Sequence, residues 1–225
     1  MGALDTTAQV MNSHRNARWV FAALAPALLT ACTSTPEDSA PTTTGPAASG
    51  AKDAGARVSL ATADGAQAGT VTFTPVAGGT EVEVKLTANK EVAAGRFHAI
   101  HVHANDDPAN GEGCKADPAM AASTWFTAVD GHLKSGSAAH AEHTGDLPTL
   151  LVRQDGRGDL RFTTDRFTAA DVVGKAVVVH ANADNFNIPT GTQPDQYTAN
   201  EAATAKTAAT GNAGDRKACG LITKG

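Results

Sequence analysis

The chain has 225 residues, with 18 Lys and Arg against 23 Asp and Glu, and a formal net charge of −5. This acidic balance, without any cluster of Lys or Arg able to follow a phosphate backbone, excludes a nucleic-acid-binding protein. Aromatic residues make up 4% of the chain and 22 residues are glycine. That composition favours a β-sandwich of small residues over a helical bundle packed with large ones.

The amino-terminal residues 1–32 predict a signal peptide. Arg15 and Arg18 precede an apolar stretch over residues 19–31, which has the length of a signal-peptide core and is too short to span a bilayer. The stretch ends in LTAC, which resembles the bacterial lipobox, a motif whose cysteine is acylated; here that residue is Cys32. We therefore expect an exported lipoprotein, attached through Cys32 to the outer face of the cell membrane, on the periplasmic or cell-wall side.

Residues 33–56 predict a disordered tether. They are rich in Thr, Pro, Ala, Ser and Gly and carry no apolar period, so they have nothing to bury in a core. A flexible coil of this length has a mean reach of about 25 to 30 Å. The remaining residues, 57–225, are enough for one domain with a real core.

This domain alternates short β-branched runs with Gly, Asn and Asp turns. In chain order, the predicted strands cover residues 58–62, 70–74, 81–86, 97–103, 150–154, 160–164 and 176–180. No long helical pattern separates them, so the sequence predicts an all-β antiparallel sandwich or barrel. Two long loops, 104–146 and 181–217, interrupt the rhythm, and loops of this length are usually functional or disordered.

The histidines point to a metal site. His101 and His103 are two residues apart on a predicted strand, so both imidazoles project from one face. His98 is out of step with both and is interpreted as structural. A His-x-His pair alone also fits a polar sheet face, but the first loop and a strand end add further ligands: His132, His140, His143, Asp146 and His180. Imidazoles suit copper and zinc, and an added carboxylate suits zinc, so two adjacent metals of different character are expected.

The cysteines suit an oxidising compartment. With Cys32 assigned to lipid, Cys114 and Cys219 remain as an even pair. A disulfide between them is the expected state outside the cytoplasm, with two free thiols as the alternative.

Four motifs, in this order, resemble those of the copper,zinc superoxide dismutases. They are FHAIHVH at 97–103, HTGDL at 143–147, VVHANAD at 178–184 and GNAGDRKACG at 211–220. The resemblance runs through nearly all of residues 57–225. It implies an immunoglobulin-like Greek-key β-sandwich or barrel of about eight antiparallel strands with two long functional loops. It also implies an oxidoreductase that converts superoxide to dioxygen and hydrogen peroxide at a redox-cycling copper.

Carried over motif by motif, the resemblance implies two metal sites that share one ligand. Copper would be bound by His101, His103, His132 and His180. Zinc would be bound by His132, His140, His143 and Asp146. Asp184 would hydrogen-bond one ligand of each site and orient both. Arg216 would bind and steer the anionic substrate, and His132 would leave copper during the cycle to take and return a proton.

Some features leave alternatives open. Ten residues separate His132 from His143, fewer than the family usually has, so a copper-only dismutase without zinc is the main variant. A copper store of the same fold would have lost a ligand or the arginine, and a surface adhesin would not explain the histidines. A homodimer is compatible with the family, but no apolar patch identifies its contact surface. The second loop could cover the channel or remodel a subunit contact, and Lys206 is assigned no role.

Overall fold

The structure, a computed structural model, describes residues 55–186 and 201–225. The predicted signal peptide with Cys32, and the tether up to residue 54, lie outside the described residues. In the part of the chain that is described, no helix has the length and apolar character needed to cross a membrane.

The described residues form ten strands and one α-helix. The strands are β1 (Ala56–Thr62), β2 (Gln67–Val76), β3 (Gly79–Leu86), β4 (Arg96–His98), β5 (Ile100–His103), β6 (Leu150–Val152), β7 (Gly158–Thr164), β8 (Ala176–His180), β9 (Arg216–Leu221) and β10 (Thr223–Lys224). The helix, α1, spans Glu201–Thr210. The first strand thus begins at Ala56, which the sequence places at the end of the tether.

The strands form one large curled sheet and one small sheet, both antiparallel. The large sheet has the order β5-β8-β9-β1-β2-β3-β7, with β10 beside β1, and the small sheet pairs β4 with β6. Because β4 leads into β5 through Ala99, and β6 turns into β7, the small sheet lies between the two ends of that order. The predicted all-β antiparallel fold is confirmed.

The prediction of a second long loop over residues 181–217 is partly wrong. Its carboxy-terminal half contains α1 and the first residues of β9. The sequence of α1 is rich in Ala, with Glu and Lys, which all favour helix. The helix ends before Gly211, whose φ of 56° is the left-handed conformation that commonly terminates helices. The first loop, by contrast, contains three short 3-10 turns within residues 108–129.

The main core lies against one face of the large sheet. Burial alternates along β1 and β3, because every second side chain enters this core. Its largest fully buried members include Phe73, Leu60 and Ile100. Burying each such side chain contributes about 1.5–3 kcal/mol relative to exposure.

Strand β8 is buried on both faces, which explains its unbroken apolar sequence. Val177 and Val179 enter the main core. Ala176 and Val178 face a second cluster that contains Trp125 and Phe126 from the first loop. The first loop therefore covers the outer face of β8 and reaches the histidine at its end.

Candidate metal centre

Strand β5 positions the first two ligands. All four of its residues are buried: Ile100 and Val102 enter the main core, so His101 and His103 project from the opposite face, as their spacing predicts. At the end of the sheet, β5 pairs with β8 along one edge. Its other edge is available to the first loop.

The first loop bonds to this other edge in two places. The Leu133 amide donates to the Val102 carbonyl over 2.8 Å, and the Val102 amide donates to the Gly145 carbonyl over 2.8 Å. These bonds set His132 opposite His103, and Asp146 opposite His101. Two distant stretches of the loop thus each place one predicted ligand opposite a histidine of β5.

The far side of the site comes from β8 and β9. His180 is the last residue of β8 and pairs across the sheet with Arg216, the first residue of β9, at an irregularity in the ladder. The cationic side chain and the histidine are therefore neighbours through backbone pairing.

One group of four imidazoles is close enough together to hold a metal ion. Nitrogen atoms of His101, His103, His132 and His180 lie within 4.8 Å of one another, and the four residues are 0 to 6% exposed. His103 Nδ1 donates to the Asp130 carbonyl over 2.9 Å, and His180 Nδ1 donates to the Gly214 carbonyl over 3.2 Å. These bonds leave the two Nε2 atoms facing each other at 3.3 Å.

His101, also a member of this group, has one ring nitrogen without a hydrogen-bond partner. His101 Nδ1 is buried and has no hydrogen-bond partner among the described residues. A buried polar nitrogen is rarely left unpaired, and a bound metal ion would satisfy it. A set of imidazole ligands suits copper, so the residues present fit the predicted metal.

A second group of ligand atoms adjoins the first through His132. Its Nδ1 lies 2.8 Å from Asp146 Oδ1 and 3.2 Å from His143 Nδ1. Asp146 Oδ2 lies 3.1 Å from His140 Nδ1. Three imidazoles and one carboxylate form a donor set that suits tetrahedral zinc. The Asp146 carboxylate therefore lies within 3.3 Å of a ring nitrogen of each of the three predicted zinc-binding histidines.

Ligand atoms of His101, His132, His140 and Asp146 also lie within 4.8 Å of one another, a group in which the sequence predicts His143 and not His101. The ring of His101 is common to both groups, with its centroid 3.9 Å from that of His132 and 5.5 Å from that of His140. Its Nε2 is already engaged by a carboxylate. His143 also adjoins this group, with its Nδ1 3.2 Å from His132 Nδ1 and 3.3 Å from Asp146 Oδ1.

Asp184 joins the two groups. Its Oδ2 lies 2.8 Å from His101 Nε2 and its Oδ1 lies 2.7 Å from His140 Nε2, with all three side chains fully buried. One carboxylate thus orients one imidazole of each group, which leaves each Nδ1 facing a metal position.

Burial and the two carboxylates set the charge states. Burial lowers the pKa of His101 and His132, and lowers the pKa of His103 and His180 well below the ordinary value. Neutral imidazole is the form that binds a metal. Burial also acts to lower the pKa of His140, but hydrogen bonds to Asp146 and Asp184 raise it to about 9. Burial opposes ionisation of Asp184, yet its bonds to His101 and His140 lower its pKa to about 2.

A cavity of about 410 Å³ opens beside the imidazoles. Its lining includes His103, His132, His180, Arg216 and Lys206 of α1. The Arg216 guanidinium donates to the carbonyl oxygens of Phe126 and Asp130. Because two carbonyls hold it, the cation has a fixed position at the wall of the cavity.

The comparisons with known proteins decide the family. The family model described as Copper/zinc superoxide dismutase (SODC) matches residues 67–222. The chain belongs to the copper/zinc superoxide dismutase family. Two similar proteins are each named "Superoxide dismutase [Cu-Zn]". That of Mycolicibacterium paratuberculosis is 36% identical and covers 72% of this chain and 71% of its own. That of Deinococcus radiodurans is 31% identical and covers 74% and 82%.

A solved structure supports the fold. A double mutant of a SOD-like protein from Bacillus subtilis superposes with a TM-score of 0.51 at 18% identity, covering 74% of this chain and 96% of the other. Membership of the superoxide dismutase family confirms the predicted enzyme class, an oxidoreductase acting on superoxide, and the predicted metals, copper and zinc.

Two further predictions made outside the ligand groups are also met. The disulfide between Cys114 and Cys219 is present. His98 is 1% exposed and its two ring nitrogens lie 2.7 Å from the His180 carbonyl oxygen and 2.8 Å from that of Ala93. Since it bonds backbone and lies outside both ligand groups, its interpretation as a structural residue of this superoxide dismutase domain holds.

Proposed function

We propose that this chain dismutates superoxide at a bound copper, with zinc as a second metal that shapes and tunes the site. The copper ligands would be His101, His103, His132 and His180. The zinc ligands would be His132, His140, His143 and Asp146. The observation that carries this assignment is the place of His132. Its ring belongs to the group of four histidines, while its Nδ1 lies 2.8 Å from Asp146 Oδ1 and 3.2 Å from His143 Nδ1, and an imidazole can offer one nitrogen to each side.

Bound copper would supply the one-electron chemistry that oxidises one superoxide to dioxygen and reduces a second, which takes two protons, to hydrogen peroxide. The protein binds and orients the substrate. Arg216, held by two backbone carbonyls in the wall of the cavity, attracts the anion and aligns it beside His103 and His180. In a chain of net charge −5, such a local cation is needed to draw in an anion.

His132 handles a proton. Its Nδ1 is directed at Asp146 and His143, so Nε2 is the atom on the copper side that takes and returns the proton. Asp146 fixes the ring while this happens. Burial lowers the pKa of His132, against the opposing effect of its hydrogen bond to Asp146.

Paired ligand variants test the assignment. In the full-length protein, His103→Ala should lose copper and activity, whereas His143→Ala should lose zinc and keep copper. Arg161→Ala changes an exposed side chain on β7, outside both groups, and serves as the control, with both metals retained. If His143→Ala and His140→Ala both still bind zinc, the zinc assignment is contradicted. A wild-type protein that is fully active with copper alone would support the copper-only variant instead.

Export and lipid anchoring at Cys32 belong to the same proposal. The basic and apolar pattern of residues 1–32 supports it, as does a disulfide of the kind that persists outside the cytoplasm. Cells fed a labelled fatty acid should label the wild-type chain in the membrane fraction and leave Cys32→Ala unlabelled. An unlabelled wild-type chain in the cytoplasm would contradict it.

A homodimer stays a prediction, which sedimentation equilibrium of the purified protein decides.

A further inference from the structure

Arg166 contacts the zinc-side loop from outside the ligand groups. It lies two residues after β7, on an exposed stretch of the chain. Its Nη2 donates to the Ala141 carbonyl over 3.1 Å and its Nη1 donates to the His143 carbonyl over 3.0 Å. A longer contact of 3.5 Å joins Nη1 to the Asp146 carbonyl. The guanidinium therefore spans the loop segment that carries the last two zinc ligands.

The Arg166 guanidinium bonds mainly to these backbone carbonyls. Within residues 55–186 and 201–225, no carboxylate forms an ion pair with Arg166, whereas Arg161, three positions before the end of β7, pairs with Glu83. A charged donor that is shared between backbone carbonyls restricts the backbone, because the planar guanidinium fixes the separation of the groups it binds.

Other hydrogen bonds hold parts of this segment. The Gly145 amide donates to the Leu133 carbonyl over 2.7 Å, and the Gly145 carbonyl accepts from the Val102 amide over 2.8 Å. The His140 amide donates to the Ala208 carbonyl of α1 over 2.8 Å, and the Glu142 amide donates back to Ala139 over 2.7 Å. The Asp146 carboxylate accepts from the His143 amide over 3.0 Å. Ten residues separate His132 from His143, and among the described residues the hydrogen bond to the Ala141 carbonyl comes from Arg166.

We propose that Arg166 is a positioning residue for the zinc site, holding the carbonyls of residues 141 and 143 so that His143 and Asp146 face His132. Arg166 binds no metal and lies outside the cavity that contains Arg216. The inference rests on the zinc assignment proposed above and adds the residue that makes the shortened loop able to bind zinc.

The test measures zinc and copper affinities of the full-length protein separately. Arg166→Gln should raise the apparent zinc Kd by about 10- to 100-fold, the usual effect of losing a group that orients a metal ligand, and leave the copper Kd within about twofold. Competition with a chromophoric chelator gives both constants. Cobalt bound in place of zinc should show a weaker tetrahedral absorption band. Arg161→Gln, an equal change of charge on β7, the strand that precedes Arg166, is the matched control and should leave zinc affinity unchanged.

Arg166→Lys keeps the charge and removes the forked geometry, so we expect an intermediate loss of zinc affinity. If Arg166→Gln does not fold, the zinc affinity of Arg166→Lys tests the role of Arg166 instead. Unchanged zinc affinity in Arg166→Gln, or an equal loss of copper affinity and of metal-free stability, would overturn the role of Arg166. If the wild-type protein itself binds no zinc, and His143→Ala changes nothing, the zinc assignment fails first and the inference fails with it.

Discussion

Gly211 packs so closely against Asp184 that a side chain at position 211 would overlap the carboxylate Oδ1, as well as His140 Nε2. Asp184 orients one imidazole of each ligand group. The end of α1 is therefore in direct contact with the group that links the two metal sites, and the glycine is needed for that contact.

Gly211→Ala should weaken both metal sites together. The added methyl group displaces Asp184, and we expect the Kd for copper and for zinc to rise by about 10- to 100-fold each. Its φ of 56° adds backbone strain, so Gly78→Ala is the control: φ there is 82° and nothing lies within 4 Å of the added atom. Metal titrations of both variants separate the effect of overlap with Asp184 from the effect of backbone strain. Unchanged metal affinities in Gly211→Ala would show that the contact between Gly211 and Asp184 is not needed.

Arg216→Gln should lower the rate constant for dismutation while copper content stays the same. Arg216 supplies the fixed charge in the cavity wall, and removing it should cost about 10- to 100-fold at low salt. Pulse radiolysis over a range of ionic strengths measures this effect. Arg161→Gln carries the same change of charge at a distant strand and should match the wild type. Equal rates in both variants would show that Arg216 does not act on the substrate.

Lys206→Gln should have a smaller effect that depends on salt. Lys206 is exposed on α1 and lines the same cavity, so it adds long-range attraction. We expect a roughly two- to threefold slower reaction at low salt, which disappears near 1 M salt, where the Debye length is about 3 Å. Lys224→Gln is the matched control at a position outside the cavity lining. A loss that persists at high salt would indicate a local structural role instead.

Removing the disulfide should destabilise the metal-free domain. Cys114 and Cys219 are 105 residues apart, and the chain-entropy estimate for a loop of this size is about 4 to 5 kcal/mol. Urea unfolding of the Cys114→Ser/Cys219→Ser variant measures the loss, and wild-type protein unfolded with a reductant should approach the same value. A difference below about 1 kcal/mol would mean that the bridge does little for the fold.

The sequence predicts the site best where ligands follow local spacing. His101 and His103 share a face because they alternate on a strand, and His180 ends an apolar strand that is buried on both sides. The strand positions were predicted for the same reason, since alternation of buried and exposed residues is a local property.

What the sequence could not predict depends on contacts between distant segments. The free edge of β5 binds two parts of the first loop, and no local pattern indicates which loop residues will meet it. The same holds for the contact of Gly211 with Asp184 and for that of Arg166 with residues 141 and 143. The place of Lys206 in the cavity wall depends on α1, which lies in a loop longer than is common in the family and has no local pattern that relates it to the site.

The most direct test of the account is the metal content per chain of the purified full-length protein loaded with copper and zinc, measured with superoxide dismutation before and after chelation. The account predicts one copper and one zinc per chain and activity that is lost on chelation and regained with copper. Copper bound without dismutation, or dismutation that survives complete removal of copper, would contradict it.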